Sequence, residues 1–349
     1  MQNRAGQIVL AVLIAAALFL SVNAGVNLVF SYNPKASERI SLVGERKNQK
    51  LSPDEVKILT FNTGYGALGS ESDLKKEGGR GKRASADAVL KNIRGISEIV
   101  NLSSADVMLL QSVDIDSHRS RYVDQFSYYL NNGSYVGAYA TDFKLRSTSV
   151  LPPYKKVTSG LMTLSRKSVS NAERVSLPKG GGVLSPDRCM LVTELEIEKS
   201  DNKLVVINFE LDAYISEDKK TEQFKAVIEY ARERWRKGDY VVIGGSFYKV
   251  FEGTAERYPL SDRNRWNPET IEVYDIVPYG WIHAHDSTVP TARILSAPYD
   301  ISAEPEEKQI YCADGYILSP NVEISMVATV DQEFRYSAHN PVMLSVKLK

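Results

Sequence analysis

Cysteine is scarce in this sequence. Only Cys189 and Cys312 occur, far apart, and no Cys-x-x-Cys appears. Two thiols alone make neither a zinc site nor a disulfide framework. A bridge between them would need Cα atoms within about 7 Å, and buried free thiols are the expectation. Net charge is lacking too. The 43 basic side chains balance 43 acidic ones, which removes the cationic surplus of a general nucleic-acid binder. No internal repeat, low-complexity tract or change of composition interrupts the chain, which excludes a repeat array and favours one folded domain.

What is present begins with an apolar segment. No charge falls between Ala5 and Pro34, and Ile8 to Phe30 is mostly apolar, long enough to span a bilayer. Its densest part, Ile8 to Leu20, has the length of a signal-peptide core, and Val22-Asn23-Ala24 resembles a cleavage site. Residues 1–32 are therefore expected to form a signal anchor or signal peptide. An anchor is preferred because the apolar pattern resumes at Val26. Lys35, Arg39, Arg46, Lys47 and Lys50 follow the span and by charge would hold that side in the cytoplasm. Large domains translocate regardless, and the signal-like start favours export. The expectation is a single-pass protein of the cell membrane with an extracytoplasmic domain, secreted if the segment is cleaved. Residues 33–54 read as a juxtamembrane linker and 55–349 as the domain.

With 43% apolar and 25% charged residues, the remainder can bury a sizeable core. Val56 to Asn62, Ala105 to Gln111, Ser159 to Ser165, Leu204 to Leu211 and Tyr240 to Ser246 read as strands, several apolar on both faces. Asp314 to Ser319, Val322 to Val330 and Met343 to Lys349 follow as further strands. Ser85 caps a helix running to about Val100, with Val89, Ile93, Ile96 and Val100 on one face. Tyr122 to Leu130 and Asp218 to Arg236 read as helices. Ser70 to Arg83 is a glycine- and charge-rich loop, either a solvated surface or a rim over a site. The strand at Tyr240 runs into Gly244-Gly245, where the backbone can approach something closely.

Several short motifs stand in one order: Phe61-Asn62, Leu110-Gln111 with Val113-Asp114, Ser159-Gly160, Asp187-Arg188-Cys189, Asp212-Ala213-Tyr214, Gly244-Gly245, Ala297-Pro298-Tyr299, Asp314-Gly315 and His339-Asn340-Pro341-Val342. From Val56 onward the chain resembles membrane-anchored or secreted bacterial members of the endonuclease/exonuclease/phosphatase family. The resemblance implies an α/β fold, a four-layer α/β sandwich with two mixed β-sheets packed face to face and helices outside. It further implies a site at the strand ends, where relatives hydrolyse phosphoesters with Mg²⁺. Carboxylates hold the metal, His and Asn steady the phosphate, and Asp activates water.

Position by position, that chemistry is missing. Ser112 stands where the resemblance places the metal carboxylate, and Glu210 where it places a strand-end His. Ser246 and Tyr248 replace the water-positioning Asp and its companion Asn, and Ala338 replaces the Asp before the final His. Asn62 and His339 are retained. Ile294, after Arg293, stands where relatives often carry a polar acid. Losing one general base costs roughly 10²–10⁴ in rate, and such losses do not multiply once a site is disabled. No catalytic residue, metal or cofactor is expected. The ligand-binding candidates are Asn62, Gln111, Arg188, Glu210, Arg293 and His339.

Local expectations follow. Without an acid at Ala338, His339 has no orienting partner; Glu210 either pairs with it or joins Asn62 and Gln111 in holding a metal, and the pairing is preferred because one carboxylate makes a poor Mg²⁺ site. Tyr248 fills the pocket or stacks on a ligand. Arg188 and Arg293 recognise an anion or pair with carboxylates. His283 and His285 alternate with a spacing that could ligate a metal, but no third ligand is nearby, so an exposed loop or strand end is expected. The function expected is a membrane-tethered pseudoenzyme binding a protein partner in the cell envelope or a phosphorylated ligand. Two alternatives stand: a hydrolase with rewired ligands, which would need Mg²⁺, and a structural cell-envelope domain.

Overall fold

Strands apolar on both faces must be covered on both, and layered packing is how this chain does it. The computed structural model describes residues 2–29, 32–145, 155–182, 185–271 and 273–349. In chain order its elements are α1 (Gln2–Val29), β1 (Ser37–Arg39), β2 (Val43–Gly44), β3 (Val56–Asn62), α2 (Ala86–Leu102), β4 (Val107–Asp114), α3 (Gln125–Asn131), β5 (Val136–Leu145), β6 (Val157–Ser165), β7 (Val169–Ser176), β8 (Cys189–Glu196), β9 (Lys203–Glu210), α4 (Glu217–Arg236) and β10 (Tyr240–Ser246). Then come β11 (Val250–Phe251), β12 (Thr270–Ile271), β13 (Ile282–Ala284), β14 (Ala292–Arg293), α5 (Pro305–Lys308), β15 (Ile310–Tyr311), β16 (Asp314–Leu318), β17 (Val322–Thr329) and β18 (Val342–Leu348).

Two mixed seven-stranded sheets result, ordered β1-β7-β8-β9-β10-β16-β13 and β17-β18-β3-β4-β6-β5-β2. Their inner faces meet in a core that includes Val56, Ile58, Val107, Leu109, Val206, Val242, Leu344 and Val346. The alternate residues of β9 and β10, Val205, Ile207, Val241 and Ile243, pack with Phe224, Val227 and Ile228 of α4. On the far side, Leu59, Phe61, Met108 and Leu110 pack with Val89, Ile93 and Ile96 of α2. The order is thus helix, sheet, sheet, helix, the four-layer sandwich expected. Ser85 Oγ accepts from the Ala88 N–H and starts α2. In α4, Glu217 and Asp218 sit in the first turn and Arg234 and Arg236 in the last, as the helix dipole favours.

Parts of the segment 33–54 pair with the sheets. Ser37–Arg39 pairs antiparallel with β7, Val43–Gly44 pairs with β5, and Leu51 bridges to Ile197. These pairings are one to three residues long, too short for alternation to announce them. Sequence periodicity also passes over β5, β7 and β8. The β7 sequence, VSNAERVS, has little apolar content because much of it is part-exposed. The helix expected from Tyr122 starts later. Tyr122 has φ 64°, and Asp124 caps at Ser127 instead.

The N-terminal segment forms α1, and its described side chains from Ile8 to Val22 are exposed. Counting only the described residues, no helix is long and apolar enough to cross a membrane. Cys189 and Cys312 are buried free thiols.

Candidate functional site

Side chains facing the inter-sheet layer turn from apolar to polar as the strands run to one end. On β3 the succession is Val56, Ile58, Thr60, Asn62; on β4, Val107, Leu109, Gln111; on β9, Leu204, Val206, Asn208, Glu210. On β10 it is Val242, Gly244, Ser246. Register does the rest: Ser246 lies beside Glu210 on one neighbour and Asp314 on the other, and Asn62 lies beside Gln111.

Glu210 is the hub. Its Oε2 is 3.1 Å from Arg188 Nη1, and Ser112 Oγ donates within 2.9 Å of Oε1 and 3.1 Å of Oε2. The Tyr248 hydroxyl donates to Oε1 at 3.3 Å, and Asn62 Nδ2 lies 3.4 Å from the same oxygen. Both carboxylate oxygens therefore have partners. Arg188 also reaches Asp142 Oδ2 at 2.5 Å, so one guanidinium lies between two acids. Burial pushes the Asp142 carboxyl above its ordinary range, Arg188 opposes that, and the Glu210 charge adds to it.

Ser112 and Tyr248 both hold left-handed backbones, with φ of 53° and 48°. Such a conformation costs a non-glycine residue roughly 1–2 kcal/mol. At Ser112 it accompanies an irregularity in the β4–β6 register between Leu110 and Val113, which aims the hydroxyl at Glu210. Desolvation, then the Glu210 charge, raises the Tyr248 phenol well above its ordinary pKa, so it acts as a neutral donor. The ring lies edge-on to His339 with centroids 5.6 Å apart and fills the hollow.

The expected Glu210–His339 pairing is replaced by another. His339 Nδ1 lies 2.8 Å from Asp314 Oδ2, so this histidine does have an orienting carboxylate. Asn62 Nδ2 donates to Ser246 Oγ at 3.1 Å, and Ser246 Oγ donates to Asp314 Oδ1. A hydrogen-bond chain thus runs from Asn62 through Ser246 and Asp314 to His339. Asp314 and Asp142 escaped the sequence reading. The first stood in a strand motif 25 residues before His339, and the second in a strand without clear alternation. The need of a buried imidazole for an acceptor was the signal available for Asp314.

Other candidates lie apart. Gln111 is fully buried one layer deeper, with Nε2 2.8 Å from Asn208 Oδ1 and 3.0 Å from Thr60 Oγ1. Among the described residues, Arg293 pairs with no carboxylate. It donates to the carbonyls of Gly69, Ser72 and Ala297 at 2.8, 3.0 and 3.1 Å, pinning the loop before α2 to β14. Burial lowers its pKa to about 10. His283 on β13 and His285 just after it are not loop-exposed. Their rings lie 4.5 Å apart beside Phe251, and His283 Nε2 and His285 Nδ1 are buried without partners. Ala338 is buried.

The resemblance implies Mg²⁺, and the donor set does not fit it. A magnesium ion takes oxygen ligands, one or two of them carboxylate. Here the Glu210 carboxylate is bound to a guanidinium and hydroxyls, and Asp142 to the same guanidinium. Among the described residues, no group of three or more His, Cys, Asp and Glu side chains could hold a metal ion.

The layered fold is that of solved endonuclease/exonuclease/phosphatase proteins. A protein of that name from Beutenbergia cavernae superposes with TM-score 0.57 at 15% identity, over 84% of this chain and 72% of that one. One from Bacteroides vulgatus gives 0.55 at 12% identity, over 84% and 99%. The human Nocturnin catalytic domain, solved with a bound sulfate anion, gives 0.52 at 14%, over 89% and 98%. No protein-family model and no curated protein matches the sequence.

Proposed function

We propose that this chain is a membrane-tethered, non-catalytic domain of the endonuclease/exonuclease/phosphatase fold that acts by binding. The partner is a protein of the cell envelope or a phosphorylated ligand. One observation carries the proposal: the Glu210 carboxylate is closed in by Arg188, Ser112, Asn62 and Tyr248. A hydrolase needs an acid free to hold a metal and another free to take a proton from water, and these positions supply neither. The charge-free stretch from Ala5 to Pro34 supports tethering, with the domain outside the cytoplasm.

One observation favours a second reading. The His339–Asp314 pair is an oriented imidazole of the kind that steadies a phosphate, so rewired phosphoester hydrolysis is the alternative. The test is a phosphoester screen of the full chain with Mg²⁺ and Mn²⁺, beside calorimetric titration of each metal. No turnover and no saturable metal binding are expected. A variant carrying Ser112→Glu, Glu210→His, Ser246→Asp, Tyr248→Asn and Ala338→Asp is the companion. Turnover by the parent that His339→Ala abolishes would overturn the non-catalytic reading.

A further inference from the structure

We propose that a basic cleft beside the closed centre binds a small phosphomonoester whose organic part is aromatic or apolar. This deepens, and rests on, the reading of the chain as a binding domain. The cleft, about 350 Å³, is near the lower end of small-molecule pockets. It opens under the loop that carries Lys82 and Arg83. Lys82, Arg83, His118, Arg119 and Lys155 reach it, and Tyr65, Leu68, Phe143 and Val157 supply apolar wall.

The cations are of two kinds. Arg119 is satisfied: it forks onto Asp114 at 2.8 and 3.0 Å and lies 3.6 Å over the Tyr65 ring, so it forms wall and not receptor. Arg83 is otherwise placed. Its Nη2 donates to the His118 carbonyl, and its Nε is buried with no partner. Behind it, Arg121 donates to the Ala84 carbonyl at 2.8 and 2.5 Å. No carboxylate is bonded to either guanidinium among the described residues. Desolvation and then the Arg121 charge lower the Arg83 pKa; desolvation, then Arg83, Lys155 and Arg121, lower that of His118. The one acid on the described lining, Asp73, accepts from the Gly81 N–H at 2.6 Å.

Crowded cations with an unfilled donor are what a dianion stabilises, and a planar guanidinium matches phosphate oxygens in pairs. The apolar wall across the cleft then sets the preference for an ester with a ring over the bare anion. The centre next door is closed, so this ligand would be held and not cleaved.

The test is a ³¹P NMR titration of the full chain with phenyl phosphate and, separately, inorganic phosphate, with and without Mg²⁺. Saturable binding of phenyl phosphate is expected, about tenfold tighter than inorganic phosphate. About tenfold weakening is expected in Arg83→Gln, with a smaller loss in the exposed-site variant Lys82→Gln and unchanged circular dichroism. No saturable binding, equal affinity for the two anions, or unaltered affinity in both variants would overturn the proposal. Growth of an inorganic phosphate resonance from phenyl phosphate overturns the non-catalytic reading instead and leaves the cleft assignment standing.

Discussion

Arg188 and Glu210 lie 3.1 Å apart, and the same guanidinium nitrogen is 2.5 Å from Asp142. One cation serves two buried acids at the end of the inter-sheet layer. Desolvation works against its charge, but Glu210 and Asp142 outweigh that and hold Arg188 well above the ordinary arginine pKa. The guanidinium supplies from within the chain the positive charge that a divalent ion supplies in a metal-dependent centre.

Replacing Arg188 by Met should therefore leave two buried acids facing each other uncompensated. Removing one partner of such a pair costs about 3–5 kcal/mol, read from urea denaturation at pH 7. The deficit should shrink in acid, where protonation removes the unpaired charge. A midpoint within error of the parent would show that the pair does not hold the site.

Tyr248 contributes more by volume than by its hydroxyl. Tyr248→Phe removes contacts of 3.2 Å to Asn62 and 3.3 Å to Glu210, while Arg188 and Ser112 still satisfy the acid, so a cost of about 1 kcal/mol is expected. Tyr248→Ala opens the hollow and should cost about 3 kcal/mol. Equal costs for the two would contradict the filling role.

A second tie crosses between the sheets. The Tyr316 hydroxyl, on one sheet, reaches the Val342 and Ile58 carbonyls of the other at 2.7 and 3.0 Å. Tyr316→Phe should cost about 1–2 kcal/mol in thermal unfolding with no change in fold by circular dichroism.

The stacked histidines predict a pH dependence. Burial, then the His285 charge, lowers the His283 pKa from 6.5 to about 3. Between those values the unfolded chain binds the proton and the folded chain does not. Stability is thus fully present above about pH 6.5 and falls as pH drops toward 3, by up to about 1.4 kcal/mol per unit. His283→Phe should flatten that slope in denaturation curves taken at pH 7, 6 and 5. A variant as acid-sensitive as the parent would place the titration elsewhere.

The central strands were legible because β3, β4, β9 and β10 are apolar on both faces, a pattern few other elements share. The motif order then gave the sandwich. The edges were not legible: β1 and β2 are short, and β7 keeps polar residues on its part-exposed positions. At the site, residue types could be read but partners could not. Ala338 suggested an unpartnered His339, whereas Asp314 reaches it through the antiparallel register that sets it opposite Ser246. Glu210 was matched to the wrong neighbour because Arg188 is 22 residues away in sequence and comes close only through the pairing of β8 with β9.

The docking of Tyr32 on the domain, through its hydroxyl at 3.3 Å from the Thr141 carbonyl and its ring under Arg174, sets a leash length. Only three Cα steps separate it from Val29 at the end of α1, about 11 Å at full extension. A surface that captured α1 would hold the docked end of the domain within that reach.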